Sequence, residues 1–342
     1  MFNTSHSLGV LKEMDDADRK LLILVAENPR IHIQELAKRL GISKQVASHR
    51  MQVLTKSGII LGSIANISIP YLDAIPVVIF GRSETAPIER ALDRLGESEF
   101  SRRANVVGGN IIYVTGLLRR ISELDGYAEF VKRAAEMPAP TVGIYNLDDG
   151  LMPVYSVDGG GKRRQQNCKK LSPLDLRIIA SLNDDARRPI ADIADTVGAS
   201  AKTVRRHLED MISEGSLELH APMDLSLGGD IFLSVHVNFA DGADKVVVGR
   251  RLLSKYRFRD AYVRTFSNLP GLIMWVLWSD NMTEIRKALR EVGEDEDVLA
   301  VTPNFVYLER IYPTWRDKLL AVRTRSPKKA RACEPHSGLR TQ

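Results

Sequence analysis

The chain is written twice. With an offset of 157 and no gaps, residues 14–62 lie over residues 171–219. Asp18 then meets Asp175, Arg30 meets Arg187, and Leu36-Ala37 meets Ile193-Ala194. Gly41-Ile-Ser43 meets Gly198-Ala-Ser200, and Gly58 meets Gly215. The same offset carries Ala74–Phe80 onto Ile231–Val237. Similarity at a fixed period means that one folding unit recurs, so any fold must serve both halves. A length of 342 residues also exceeds one core and suits two to four domains.

Each copy opens on a helix with a readable cap. Ser172-Pro-Leu-Asp175 is a Ser-x-x-acid cap with proline at the first helical position, and Asp15 and Asp18 take those places in the first copy. Apolar residues follow at helical spacing: Leu21, Leu22, Leu24 and Val25, or Leu174, Ile178, Ile179 and Leu182. A second helix carries Leu36, Ala37 and Leu40, or Ile193, Ala194 and Val197, and stops at Gly41 or Gly198, where glycine permits a left-handed turn. Ser43 or Ser200 caps a third helix that buries Ala47, Met51 and Leu54, or Val204, Leu208 and Met211. Gly58 or Gly215 ends it, and residues 59–61 or 217–219 read as a wing strand. Three helices with a tight Gly-x-Ser turn before the last describe a winged helix-turn-helix.

The rest of each copy reads strand, helix, strand, strand, helix, strand, which is ferredoxin-like. The first copy's strands are expected near 74–80, 102–107, 111–118 and 141–147, with helices near 86–96 and 122–136. The second copy's strands are expected near 231–239, 260–266, 272–278 and 300–309, with helices near 243–256 and 281–292. Such a sheet has one face bare of helices, and the other copy is the obvious cover. The expected class is α+β, two winged helix-turn-helix domains alternating with two ferredoxin-like βαββαβ sensor domains. The boundaries are 14–65, 70–157, 171–222 and 228–315, with a basic linker at 158–170 and a basic, disordered tail at 316–342.

Each half resembles the leucine-responsive regulator/asparagine regulator (Lrp/AsnC) family. MDDADRKLLILVAENPR and LSPLDLRIIASLNDDAR carry the resemblance, followed by ELAKRLGISKQVASHRMQVLTKSGII and DIADTVGASAKTVRRHLEDMISEGSL. It implies a regulator of transcription that binds double-stranded DNA and senses a small effector such as an amino acid. The family has one unit per chain and pairs chains; two fused units imply an intramolecular pseudo-dimer, with further homo-oligomers left open. The family's third-helix arginine is Arg50 in one copy and His207 in the other, and its helix-starting serine is replaced by His32 and Pro189.

The third helix should enter the major groove by its N-terminal part. With Ala47, Met51 and Leu54 inward, Lys44, Gln45, Ser48, His49 and Gln52 point outward. In the second copy Ala201, Lys202, Arg205, Arg206 and Glu209 do so. Lysine and arginine donate to phosphates or guanine edges, and glutamine pairs with adenine. In the family, effectors bind between sensor domains near the turn joining the second and third strands. Those turns here are Gly108-Gly109-Asn110 and Asn268-Leu269-Pro270-Gly271, which also read as ordinary hairpin turns. Gly108, Gly109, Asn110, Leu269, Pro270 and Gly271 are the candidate effector contacts.

Siroheme decarboxylases, also paired or fused, resemble this family in fold and carry Tyr-x-Arg-x-His in the sensor domain. This chain has Tyr262-Val-Arg264-Thr-Phe266, and phenylalanine can neither ligate nor transfer a proton. The first copy, Arg102-Arg-Ala-Asn-Val106, holds none of the three signature residues in place. The seven histidines are scattered, and Asp148 and Asp149 fall in a predicted turn. The expectation is therefore no enzyme and no cofactor. Cys168 and Cys333 lie far apart and outside any CxxC or Cys/His cluster, so metal and redox readings lack support.

Charge sharpens the picture once it is located. Residues 1–157 hold 18 basic and 18 acidic side chains, and 171–315 hold 17 and 22. The linker carries five against one and the tail eight against two, so the net +5 lies in segments able to hold phosphates or simply to stay solvated. The N-terminus lacks a secretory pattern, and the longest apolar stretch, Leu269 to Trp278, is about half of a membrane span. The chain reads as soluble and cytoplasmic, without a membrane partner.

Overall fold

The computed structural model describes residues 14–147, 170–256 and 260–323. The first copy comprises α1 (Asp16–Glu27), α2 (Ile33–Leu40), α3 (Lys44–Lys56), β1 (Ile64–Ile67), β2 (Ile75–Arg82), α4 (Glu89–Leu95), β3 (Ser101–Val107), β4 (Ile111–Leu118), α5 (Leu124–Ala134) and β5 (Thr141–Ile144). The second comprises α6 (Pro173–Leu182), α7 (Ile190–Val197), α8 (Ala201–Ser213), β6 (Leu217–His220), β7 (Ile231–Phe239), α9 (Lys245–Lys255), β8 (Asp260–Thr265), β9 (Leu272–Ser279), α10 (Met282–Gly293) and β10 (Val298–Ile311). A last helix, α11 (Trp315–Arg323), has no described counterpart in the first copy. The basic linker up to Lys169, Asp148, Asp149, both cysteines and the tail beyond 323 lie outside the described residues.

The caps are made as the residue types dictate. Asp15 accepts the Asp18 amide at 2.8 Å, and Ser172 and Asp175 satisfy each other's amides at 2.7 and 3.2 Å. Gly41 and Gly198 stop α2 and α7 at φ of 68° and 67°, a region costly for side chains with a Cβ. His32 and Pro189, at the N-caps of α2 and α7, accept no hydrogen bond from a helix amide, consistent with the missing serine.

The segments after the third helices do not form separate wings. β1 pairs antiparallel with β6, from Ile64 opposite His220 to Ile67 opposite Leu217. The expected strand at 59–61 is reduced to one bridge, Ile60 opposite Met223. The reason is packing: Ile59 and Ile60 are buried in the core of α1–α3, and the strand forms only beyond Gly62. Chain exchange follows. Ala65 and Ile67 of the first copy complete the core of α6–α8, while Trp278 of the second joins that of α1–α3.

The remaining strands form one sheet, ordered β5-β2-β4-β3-β10-β7-β9-β8. Each half keeps the ferredoxin-like order, and β10 joins them by pairing with β7 through its first part and β3 through its last. The two outer edges also meet: Tyr145 bridges Phe266, the Asn146 amide donates to Thr265 O at 3.0 Å, and the Ser267 amide donates to Ile144 O at 2.9 Å. The bare faces thus cover one another by closing into a barrel, with the helices outside. An apolar cluster fills part of its interior: Val78, Val107, Phe266, Leu272 and Met274 are buried there with Tyr113. Burial pushes His236 down to about 4 and raises Tyr113, whose hydroxyl lies 3.0 Å from the imidazole. Between Asn105, Ser234 and Met274 the interior leaves about 20 Å³, the size of one water molecule.

The segment expected to begin a disordered tail at 316 starts instead as α11. Trp315 is 5% exposed and donates its indole N–H to Leu117 O at 2.8 Å. Arg316 is 4% exposed and donates to Glu218 at 3.1 Å and to Ile67 O at 3.3 Å. Removing an indole from water outweighs the ordering of a few residues, which charge counting does not register.

Candidate nucleic-acid interface

The two third helices are built alike and exposed alike. Ser43 accepts the Val46 amide at 3.2 Å and Ser200 the Thr203 amide at 3.1 Å, which leaves each N-terminus ready for an anion. On α3, Lys44, Gln45, His49 and Gln52 are exposed and Ser48 is half-buried. On α8, Lys202, Arg205, Arg206 and Glu209 are exposed. Among the described residues, no ion pair engages Lys44, Lys202, Arg205 or Arg206, whereas Arg19, Arg39 and Arg50 of the same helical layer are each held by carboxylates. One residue escaped the sequence reading. Val46 is 43% exposed on the α3 face, one position before the buried Ala47, and alanine-centred spacing alone gives no sign of it.

The odd pair Arg50 and His207 do a different job. Arg50 donates to Asp15 and Asp18, each at 2.8 Å, and His207 lies 2.6 Å from Asp175. Both tie the third helix to the start of the first and point away from the outward face. At Asp175 burial works against ionisation, but hydrogen bonds from Ser172 and His207 hold the carboxyl below its usual range. That stabilisation is present above the ordinary carboxylate range and fades as pH falls through the lowered value.

A reciprocal contact fixes one helical domain against the other. Arg30 donates to the carbonyls of Ala186 and Arg188, and Arg187 donates to those of Pro29 and Ile31 at 3.1 and 2.9 Å. Every partner is related by the repeat offset. Burial lowers both guanidinium pKa values, and at Arg30 the neighbouring Arg187 lowers it further. The first domain is also held to the barrel by a two-pronged bond from Arg19 to Asp230, both at 3.0 Å. The two outward helices are therefore set at a fixed separation.

The sensor turns are placed elsewhere. Strand directions alternate round the barrel, so β3 and β8 run the same way and both hairpin turns emerge at one end. The helical layer joins the other end, where β2 and β7 begin. Gly108, Gly109 and Asn110 form an exposed turn with Gly109 at φ 74° and Asn110 at φ 58°. In the other turn Leu269 is half-buried and Pro270 exposed. Asn268 is occupied: it accepts the Ile144 amide at 2.8 Å and donates to Val142 O at 2.7 Å, closing the barrel.

Residues 14–60 and 171–217 each match the winged helix-turn-helix DNA-binding family. No curated protein matches the chain. The crystal structure of the siroheme decarboxylase NirDL matches at 13% identity and a TM-score of 0.56, covering 90% of this chain and 98% of its own. NirDL in complex with an iron-uroporphyrin III analogue gives 12%, 0.55, 89% and 99%. The structure of E. coli AsnC gives 24%, 0.31, 38% and 91%.

The NirDL match corrects one expectation. The missing histidine pointed to a chain that is no enzyme, yet a solved structure that matches this chain over 90% of its length is an enzyme. At that identity the likeness is one of fold. The winged helix-turn-helix domains thus sit in an architecture that also hosts catalysis, which the absence of one signature residue does not reveal. Among the described residues, no helix is long and apolar enough to cross a membrane, and no cluster of three or more metal-binding side chains occurs.

Proposed function

We propose that the chain is a sequence-specific regulator of transcription, with two unlike reading helices docked in successive major grooves of double-stranded DNA. The observation that carries this is the pair of winged helix-turn-helix domains whose exposed third helices present cations unpaired among the described residues. Lys202, Arg205 and Arg206 serve phosphates and guanine edges, while Gln45 and Gln52 suit adenine and Val46 a thymine methyl. Lys44, Ser48 and His49 complete the first helix's contacts.

The offset-related positions differ throughout: Lys44 against Ala201, Gln45 against Lys202, Ser48 against Arg205, His49 against Arg206, and Gln52 against Glu209. A symmetric dimer reads a palindrome because its halves are identical; these halves are not. Selection of bound oligonucleotides from a random pool should therefore return a site with unlike half-sites at one spacing. A perfect palindrome would contradict a single chain acting alone. An effector, if it uses the turns at Gly108–Asn110 and Leu269–Gly271, acts through the length of the barrel, since the turns lie at the end remote from the helical layer.

The NirDL architecture motivates a second reading, a protein that binds a tetrapyrrole. Phe266 stands where the signature histidine belongs, fully buried and stacked on Tyr145 at 5.2 Å between ring centres. Titration with iron-uroporphyrin III, followed at its Soret band, decides this reading. Saturable one-to-one or two-to-one binding supports it, and an unperturbed spectrum removes it.

A further inference from the structure

At the seam between the helical layer and the barrel, two arginines keep guanidinium nitrogens without a partner among the described residues. Arg102 stands at the start of β3, where the ladder with β4 slips between Ser101 and Arg103, so it lies in a bulge rather than in regular register. It is half-buried, and among the described residues its guanidinium makes no hydrogen bond or ion pair. Arg316 approaches from α11. It is 4% exposed, and its Nε has no partner, although its Nη1 reaches Glu218 and Ile67 O. Arg103 and Arg264 also act on Arg102.

The nearby carboxylate is already spent. Glu218 takes Arg316 at 3.1 Å and His220 at 3.1 Å. Although burial opposes its ionisation, His220, Arg316 and Arg102 hold it down to about 2. Glu309 is committed to Arg103 at 3.3 Å. Burial first, then Arg316 and Arg103, push Arg102 down to about 10, and Glu218, shared with Arg316 and His220, offsets only part of this. Uncompensated arginines with open fork edges bind planar or tetrahedral oxyanions.

We propose that this seam is a binding site for a small anion bearing a carboxylate or a phosphate, gripped by Arg102 and the free edge of Arg316. It is distinct from the hairpin turns, which lie at the other end of the barrel. Its position has a consequence for regulation. The residues that hold the anion come from β3 of the barrel, from α11, and from contact with β1 and β6 of the helical layer. An anion here ties the reading helices to the barrel.

Thermal unfolding of the full chain tests the site without DNA, so its failure leaves the DNA reading untouched. Inorganic phosphate and sodium glutamate are titrated separately at ionic strength fixed with sodium chloride. The unfolding temperature should rise saturably with at least one of them; a response to phosphate alone marks a phosphate-bearing ligand, and one to glutamate alone a carboxylate. Arg102→Gln should raise the apparent Kd at least about tenfold, while Arg286→Gln on the exposed side of α10 should leave it unchanged. Arg102→Lys keeps the charge but not the fork and should weaken the response, which covers a glutamine variant that does not fold. No response above chloride in the natural chain, or an undiminished response in both Arg102 variants, overturns the site.

Discussion

Arg205→Ala combined with Arg206→Ala is expected to lower affinity for the selected DNA site at least about thirty-fold, from about 1–3 kcal/mol per lost contact. The slope of log affinity against log salt should fall by about one for each side chain that met a phosphate. Both residues are exposed and carry no ion pair among the described residues, so unfolding should not change. The offset-related pair in the first copy, Ser48→Ala with His49→Ala, removes no lysine or arginine and should leave the salt slope nearly intact. Titration of labelled duplex by fluorescence anisotropy at several salt concentrations separates the two variants. Equal losses from both would refute the claim that the heads differ.

Trp315→Ala is expected to destabilise the chain by about 3–5 kcal/mol, the range for truncating a large buried aromatic side chain. The indole fills a site with Leu117, Ala74 and Ile69, satisfies the Leu117 carbonyl, and lies under the Arg119 guanidinium at 4.8 Å. Loss of the anchor should also free α11 and with it Arg316, the buried arginine that ties β1 to β6. Denaturant unfolding measures the first effect, and protease cleavage after residue 316 under native conditions measures the second. A change within about 0.5 kcal/mol, as for an ordinary surface position, would contradict the placement of α11.

Much of this fold was legible because the duplication doubled every local signal. Ser43 and Ser200, Gly41 and Gly198, and the buried Ala47 and Val204 announce the same helices twice, and spacing then separates outward from inward side chains. The strands were legible for the same reason, as alternation and turn residues are local. What periodicity lacks is partnership. It does not say that β1 pairs with β6, that β10 serves two neighbours, or that Tyr145 and Phe266 close the barrel, because each depends on residues far apart in the chain. Trp315 was hidden by its basic surroundings: one buried ring decides the fate of a segment that charge assigns to solvent. Val46 was hidden by being apolar on a face expected to be polar. The role of Arg50 needed the structure too, since an arginine on a reading helix looks like a DNA contact until Asp15 and Asp18 are seen to hold it. The end-to-end likeness to NirDL does not show in the signature motif, because Phe266 in place of a histidine changes one residue and leaves the architecture intact.

The central claim is that two charged, unlike helices hold duplex DNA, and salt tests it most directly. Affinity of the full chain for a selected duplex is measured from about 50 to 200 mM salt. Log affinity should fall linearly with log salt, at about 0.9 per phosphate contacted, giving a total slope of several units. An affinity unchanged across that range would contradict it.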